Sequence, residues 1–147
     1  MEINELKELL SKSWTKETCS PGLRNEWNET NPSLGQCAIT ALIINDFFGV
    51  KIMRCMASTG SHYYNLIDGN IIDFTVEQFL GEIPGYEEGQ ERTREYLLGN
   101  EDTKKRYEKL MYNLKQSIRM AQGKQFKLIN PEGKEYLSNT PRNTRRP

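Results

Sequence analysis

A chain of 147 residues and 17.1 kDa holds one ordinary domain with room for a short appendage, which excludes a second full core. Twenty Lys plus Arg balance twenty Asp plus Glu beside a single His, so no net field steers the protein toward nucleic acid, an anionic membrane or an acidic substrate. Leu, Ile, Val and Phe make up about 22% of the residues, just above the roughly 20% that marks disordered chains, and with no net charge opposing collapse the composition predicts a folded but small core.

The opening MEINELKELL carries acids and no unbroken apolar stretch, so neither a signal peptide nor an anchor is expected in it. Ile3, Leu6, Leu10 and Trp14 recur at three- and four-residue intervals and predict an amphipathic helix over residues 2–13. Residues 15–35 hold Pro21, Gly22, Pro32 and Gly35 among Asn, Thr and Glu. They predict an ordered polar loop anchored by Trp27, and loops of this length in a compact domain are often functional. From Gln36 to Phe48, QCAITALIINDFF is apolar almost all round and Gly49 supplies a stop, which predicts a central buried helix. Its β-branched residues Ile39, Thr40, Ile43 and Ile44 would suit a strand, but the run is too long and does not alternate. Ala41 to Ile44, the longest apolar run, is far too short to span a bilayer.

Residues 50–57, VKIMRCMA, alternate partway and predict a strand. Residues 61–67, the dipeptide Asp68-Gly69 and residues 70–74 predict a hairpin, because Asp-Gly takes the positive φ angles of a type I′ turn. After the Pro- and Gly-containing segment 84–89, helices are expected over 90–98 and 102–122. In the longer one, Tyr107, Leu110, Met111, Leu114, Ile118 and Ala121 form one stripe, with Lys104, Lys105 and Arg106 leading a solvated face. Residues 126–129 and 135–137 flank NPEGK as a small hairpin, and the closing NTPRNTRRP, with nothing to bury, is expected to be disordered. The fold class is therefore α+β, a central helix packed on a small antiparallel sheet with additional C-terminal helices. The expected organisation is one domain over 1–122, an appendage over 123–138 and a tail over 139–147.

Three cysteines, Cys19, Cys37 and Cys55, are an odd count without an export signal, which predicts reduced thiols, a cytoplasmic location and no structural disulfide. Cys37 falls at the start of the central helix, where unpaired N–H groups and the positive end of the helix dipole stabilise a thiolate. His62, the one histidine, lies on a following strand, where an imidazole can take the thiol proton and later give it to a leaving group. A two-residue Asp68-Gly69 loop sets Ile67 opposite Asn70, hence Tyr64 opposite Asp73 and His62 opposite Thr75. His62 and Asp73 are then diagonal neighbours on one sheet face, about 7–8 Å apart along the backbone. In this frame Cys37 is the nucleophile, His62 the base and acid, and Asp73 the group that orients the imidazole. The oxyanion site would use the Cys37 N–H and a side-chain amide, either Gln36 or Asn31, with Trp27 as a candidate cleft wall. Taken singly each residue has an ordinary reading: a helix cysteine is usually a small buried hydrophobe, a strand histidine is usually just hydrogen-bonded, and an aspartate often caps a turn. Their order along the chain is what sets them apart.

The segments TKETCSP, RNEWNETNPSLGQCAITALIINDFFG and SHYYNLIDGNIIDFTVEQF, in this order from about Trp14 to Tyr112, resemble the YunG-like family of small bacterial proteins. The resemblance implies a globular cytosolic protein with a papain-like or transglutaminase-like cysteine centre. More distantly, it is similar to peptidases, amidases and glutamine deamidases, which makes a peptide or protein the implied substrate. No P-loop, GxGxxG turn or EF-hand is present, and no CxxC or HxxxH pair would hold a metal on one turn, so no cofactor, metal or nucleic-acid partner is expected. Two other readings stay open: a non-catalytic binding module presenting the 15–35 loop, motivated by the lack of a Gly-rich cysteine motif, and a thiol redox sensor using Cys19 and Cys37.

Overall fold

The computed structural model describes residues 1–125, 127–129 and 135–137. The first helix, α1 (Ile3–Ser11), buries Leu6 and Leu10, as the periodicity predicts, and Leu9 as well, and its start is tied by the Glu2 N–H donating to Glu5 Oε1 at 3.2 Å. Trp14 follows in the core, its indole N–H donating to Thr40 Oγ1 at 2.9 Å. The polar loop then runs to Gln36 and includes a 3-10 turn at Pro21–Glu26. Trp27 is half-buried, and the loop is fixed mainly through its backbone: Arg106 donates to the Thr18 carbonyl at 3.1 Å, Arg24 to that of Cys19 at 2.9 Å, and the Ser20 N–H to that of Gly35 at 2.9 Å. These bonds give a long irregular segment the carbonyl partners that secondary structure would otherwise supply.

The central helix is α2 (Cys37–Phe48), with Gln36 as its N-cap and Gly49 at φ 65° closing it in the left-handed conformation that glycine adopts freely. Ile39 to Ile44 are all buried. One side of the helix joins Leu6, Leu10, Trp14, Phe74, Leu110 and Leu114; the other joins Ile52 and Leu97. A helix covered on both sides has to be apolar all round, which is how its sequence reads.

The sheet is antiparallel with strand order β3-β2-β1-β4, built from β1 (Lys51–Ala57), β2 (Gly60–Ile67), β3 (Asn70–Ile72) and β4 (Gln90–Arg92). Asp68 and Gly69 have φ of 51° and 79°, the pair of positive values a type I′ turn requires, and Ile67 pairs with Asn70 as the register arithmetic predicts. Strand β3 is shorter than the expected 70–74. Past Ile72 the Asp73 carboxylate accepts from the Thr75 N–H at 3.3 Å, and this local turn leads the chain out of the sheet into a 3-10 turn at Val76–Phe79 while Phe74 enters the core.

The helix expected over 90–98 is corrected. Gln90–Arg92 pair with Ile52–Arg54 as β4, and Thr93, whose Oγ1 accepts from the Tyr96 N–H, caps a short α3 (Arg94–Leu98). The open edge of β1 overrides the helical propensity of Gln-Glu-Arg, because pairing there satisfies backbone groups that a helix would leave exposed on the sheet. The long α4 (Glu101–Gln125) follows the predicted stripe, with Leu110 and Leu114 fully buried. Arg106 departs from the expected solvated face: it is 8% exposed, bonded to Asp102 at 2.7 Å and to Thr18, so the basic run supplies a strut between α4 and the polar loop. Strands β5 (Lys127–Ile129) and β6 (Glu135–Leu137) pair antiparallel as a separate two-stranded sheet, while the NPEGK turn and the tail expected to be disordered lie outside the described residues. Among the described residues no helix is long and apolar enough to cross a membrane.

Candidate active site

Cys37 is the first residue of α2 and is half-buried. It lines a cavity of about 340 Å³ together with Gly35, Ala38, Ser61, Tyr63 and Gln78. The turn that leads into it is rigid. Gly35 has φ 71°, its N–H donates to Gln78 Oε1 at 3.2 Å, and any Cβ there would run into the Cys19 thiol and lie 2.9 Å from the Ser20 nitrogen. Glycine is required at this point both for its backbone angle and for space.

His62 projects from β2 and is fully buried, opposite Cys55 of β1. Its Nε2 lies 2.6 Å from Asp73 Oδ2, and Phe79 packs edge-on against the ring at 4.8 Å between centroids. The diagonal placement expected from the hairpin register is thus a direct hydrogen bond. Asp73, its side chain 4% exposed, also accepts from the Tyr86 hydroxyl on Oδ2 at 2.6 Å, and its Oδ1 faces the N–H and hydroxyl of Thr75. Tyr86 is held in turn by Tyr64, which donates to its carbonyl at 3.4 Å and stacks edge-to-face on its ring. Gly89 makes room for this pair, since a Cβ there would collide with the Tyr64 hydroxyl.

With a carboxylate at Nε2, that nitrogen carries the imidazole proton and Nδ1 is left for other chemistry. Nδ1 is buried and finds no hydrogen-bond partner among the described residues. Burial opposes charging the ring, but the hydrogen bond to Asp73, with a further contribution from Cys37, outweighs it and raises the His62 pKa to about 9. Asp73, with Cys37 beside it, therefore makes the imidazole a stronger base than a free one. Cys55 is pushed up to about 11, first by burial and then by the nearby Asp73 charge, and Cys19 is raised by burial, so neither is an activated thiol.

A family model described as YunG protein matches residues 2–119. The chain belongs to the YunG family. It is 36% identical over 100 residues to a Bacillus subtilis (strain 168) protein named "Uncharacterized protein YunG", an alignment covering 68% of this chain and 83% of that relative. No solved structure matches the chain. Cys37, His62, Asp73 and Tyr86 all fall inside the span matched to YunG, as does the whole four-stranded sheet; β5 and β6 lie beyond it.

The residues expected to complete the site are engaged in other contacts. Gln36 is fully buried with both ends of its amide engaged, Nε2 donating to the Thr15 carbonyl at 3.0 Å and Oε1 accepting from Thr18 Oγ1 at 2.7 Å. Asn31 donates to the Gln78 carbonyl at 3.3 Å and does not line the Cys37 cavity. Trp27 donates to the Pro32 carbonyl at 3.0 Å and walls a different, more open cavity of about 520 Å³ beside Trp14 and Thr15. The sequence reading missed Tyr86 and Gln78. Tyr86 sits between two glycines in PGYEEG, where nothing local marks it, and Gln78 falls past the predicted hairpin in a stretch with no predicted element. Among the described residues, no group of three His, Cys, Asp or Glu side chains is arranged to hold a metal ion.

Proposed function

We propose that this YunG-family protein is a cysteine-dependent acyl-transfer enzyme acting on amide bonds, a hydrolase or side-chain deamidase of papain-like or transglutaminase-like logic, with a peptide or protein as substrate. The observation that carries this reading is the buried imidazole held by Asp73 at Nε2 with its Nδ1 unpartnered, on the strand beside the helix start that bears Cys37. A merely structural histidine buried this completely would be expected to use both nitrogens. Catalytic hydrogen bonds in a free enzyme are often long and tighten only with substrate, so a Cys37 near enough to act on the His62 ring without a short bond at Nδ1 fits a resting site.

In the reaction, His62 Nδ1 takes the Cys37 proton and the sulfur attacks the amide carbon, forming a C–S bond as the carbonyl electron pair moves to oxygen. Return of that pair breaks the C–N bond while His62 gives its proton to the departing nitrogen. Water, deprotonated by the same imidazole, then hydrolyses the thioester. Asp73 keeps the ring in the productive tautomer, and Tyr86 and Thr75 keep Asp73 in place.

The test is acylation by 4-nitrophenyl acetate followed by peptide mass spectrometry. The expected result is an acetyl thioester on Cys37 that forms and then disappears by hydrolysis, absent in Cys37→Ala. If Cys37 stays unmodified while the reagent is consumed elsewhere, the reading fails and a binding module is the better description.

A further inference from the structure

We propose that Gln78 supplies the side-chain N–H that receives the negative oxygen formed when Cys37 attacks its substrate. The inference rests on the cysteine-enzyme reading and adds a catalytic residue to it. Gln78 lies in the 3-10 turn after Asp73, 5% exposed, and lines the cavity that contains Cys37. Its backbone is fully engaged: the N–H donates to the Thr75 carbonyl at 3.1 Å and the carbonyl accepts from Asn31 Nδ2 at 3.3 Å.

The orientation of its amide is decided by its neighbour. Gly35 presents an N–H, so the side-chain oxygen must face it; the swapped arrangement would oppose two donors. That fixes Nε2 on the other end of the group, and Nε2 is buried without any acceptor among the described residues. A buried donor with no partner is uncommon in a folded protein and calls for a physical reason. Here the amide oxygen is tied to Gly35, two residues before Cys37 in the chain, and that glycine is itself bonded to Ser20 through its carbonyl and has no free room for a Cβ. A pre-aligned donor beside a nucleophile, unpaired until charge develops, is the arrangement that stabilises an oxyanion without reorganisation. The two amides nearer in sequence do not offer this. Gln36 is tied at both ends of its amide to Thr15 and Thr18, Asn31 donates to the Gln78 carbonyl, and neither lines the Cys37 cavity, which leaves Asn31 a positioning residue.

In the step concerned, the Cys37 sulfur bonds to the acyl carbon and the carbonyl pair moves to oxygen, which then accepts from Gln78 Nε2 and the Cys37 N–H. Return of the pair expels the leaving group, an amine protonated by His62 in an amide or 4-nitrophenolate in the probe. Two reagents separate this role from all others: 4-nitrophenyl acetate passes through an oxyanion, and iodoacetamide alkylates the same sulfur by displacement of iodide without one. Gln78→Glu keeps the acceptor for Gly35 and removes the donor; Gln78→Met, similar in length, removes both.

In both variants acetylation of Cys37 should fall by about 10- to 100-fold, below the full 10²–10³ of an oxyanion donor because a good leaving group develops less charge, while alkylation changes by no more than about threefold. An unchanged ratio of the two rates overturns the assignment and leaves the cysteine enzyme standing. A parallel fall in both rates overturns it too, by showing that Gln78 only supports the fold around Cys37. A wild-type Cys37 inert to both reagents defeats the cysteine-enzyme reading itself and this assignment with it.

Discussion

Asp73 accepts hydrogen bonds from His62, Tyr86 and Thr75, and this concentration of donors on one buried carboxylate sets the chemistry of the site. Removing the phenol hydroxyl in Tyr86→Phe deletes a bond to a charged group and should cost about 1.5–3 kcal/mol, measured by urea unfolding; a loss below ~0.5 kcal/mol would show that the bond contributes little. His62 has a folded pKa of about 9 against an ordinary 6.5. Stability from its protonated form is thus fully present below about pH 6.5 and is lost as pH rises through 9. The thermal midpoint of the wild type should therefore fall more steeply between about pH 7 and pH 9.5 than that of Asp73→Asn, and parallel curves would contradict the raised pKa. At this scale the sequence was informative where geometry is forced. Once Asp68-Gly69 is a two-residue turn, the register up to Ile72 delivers Asp73 to the side of the hairpin that carries His62. It was uninformative where a contact is made from far away: which amide is free depends on Gly35 meeting a side chain 43 residues later, and closeness in sequence pointed to Gln36 instead.

Between elements, the segment from Cys19 to Cys37 shows how a loop is made rigid without regular structure. Gly35 is its tightest point, and Gly35→Ala combines a positive φ with a Cβ 2.9 Å from the Ser20 nitrogen. The variant should lose about 1–3 kcal/mol of stability and slow Cys37 acylation, read by urea unfolding and by adduct formation; wild-type values for both would mean the clamp relaxes easily. Helix α2 and the β2–β3 hairpin were legible because each is fixed by its own residues, an unbroken apolar run ended by Gly49 and a dipeptide with one favoured turn. Strand β4 was not legible, because Gln-Glu-Arg becomes a strand only beside the open edge of β1. The inward turn of Arg106 has the same origin: the Thr18 carbonyl that binds it belongs to a loop 88 residues earlier.

Among the described residues, the sheet and α4 both pack on α2, so the helix that presents Cys37 is also the centre of the core. Site geometry and stability are therefore linked through packing. Leu110→Ala, at a fully buried position of α4 facing α2, should cost about 2–5 kcal/mol by chemical denaturation; a cost below ~1 kcal/mol would mean this contact is not part of the core. The central claim is that His62, oriented by Asp73, activates Cys37. The most direct measurement is the rate of Cys37 alkylation by iodoacetamide at pH 7, read site by site by peptide mass spectrometry in wild type, His62→Ala and Asp73→Asn. The expected result is rapid labelling of Cys37 in the wild type, slowed about tenfold or more by His62→Ala and by a smaller factor in Asp73→Asn. Equal rates in wild type and His62→Ala would contradict it, leaving Cys37 an ordinary half-buried thiol at a helix start.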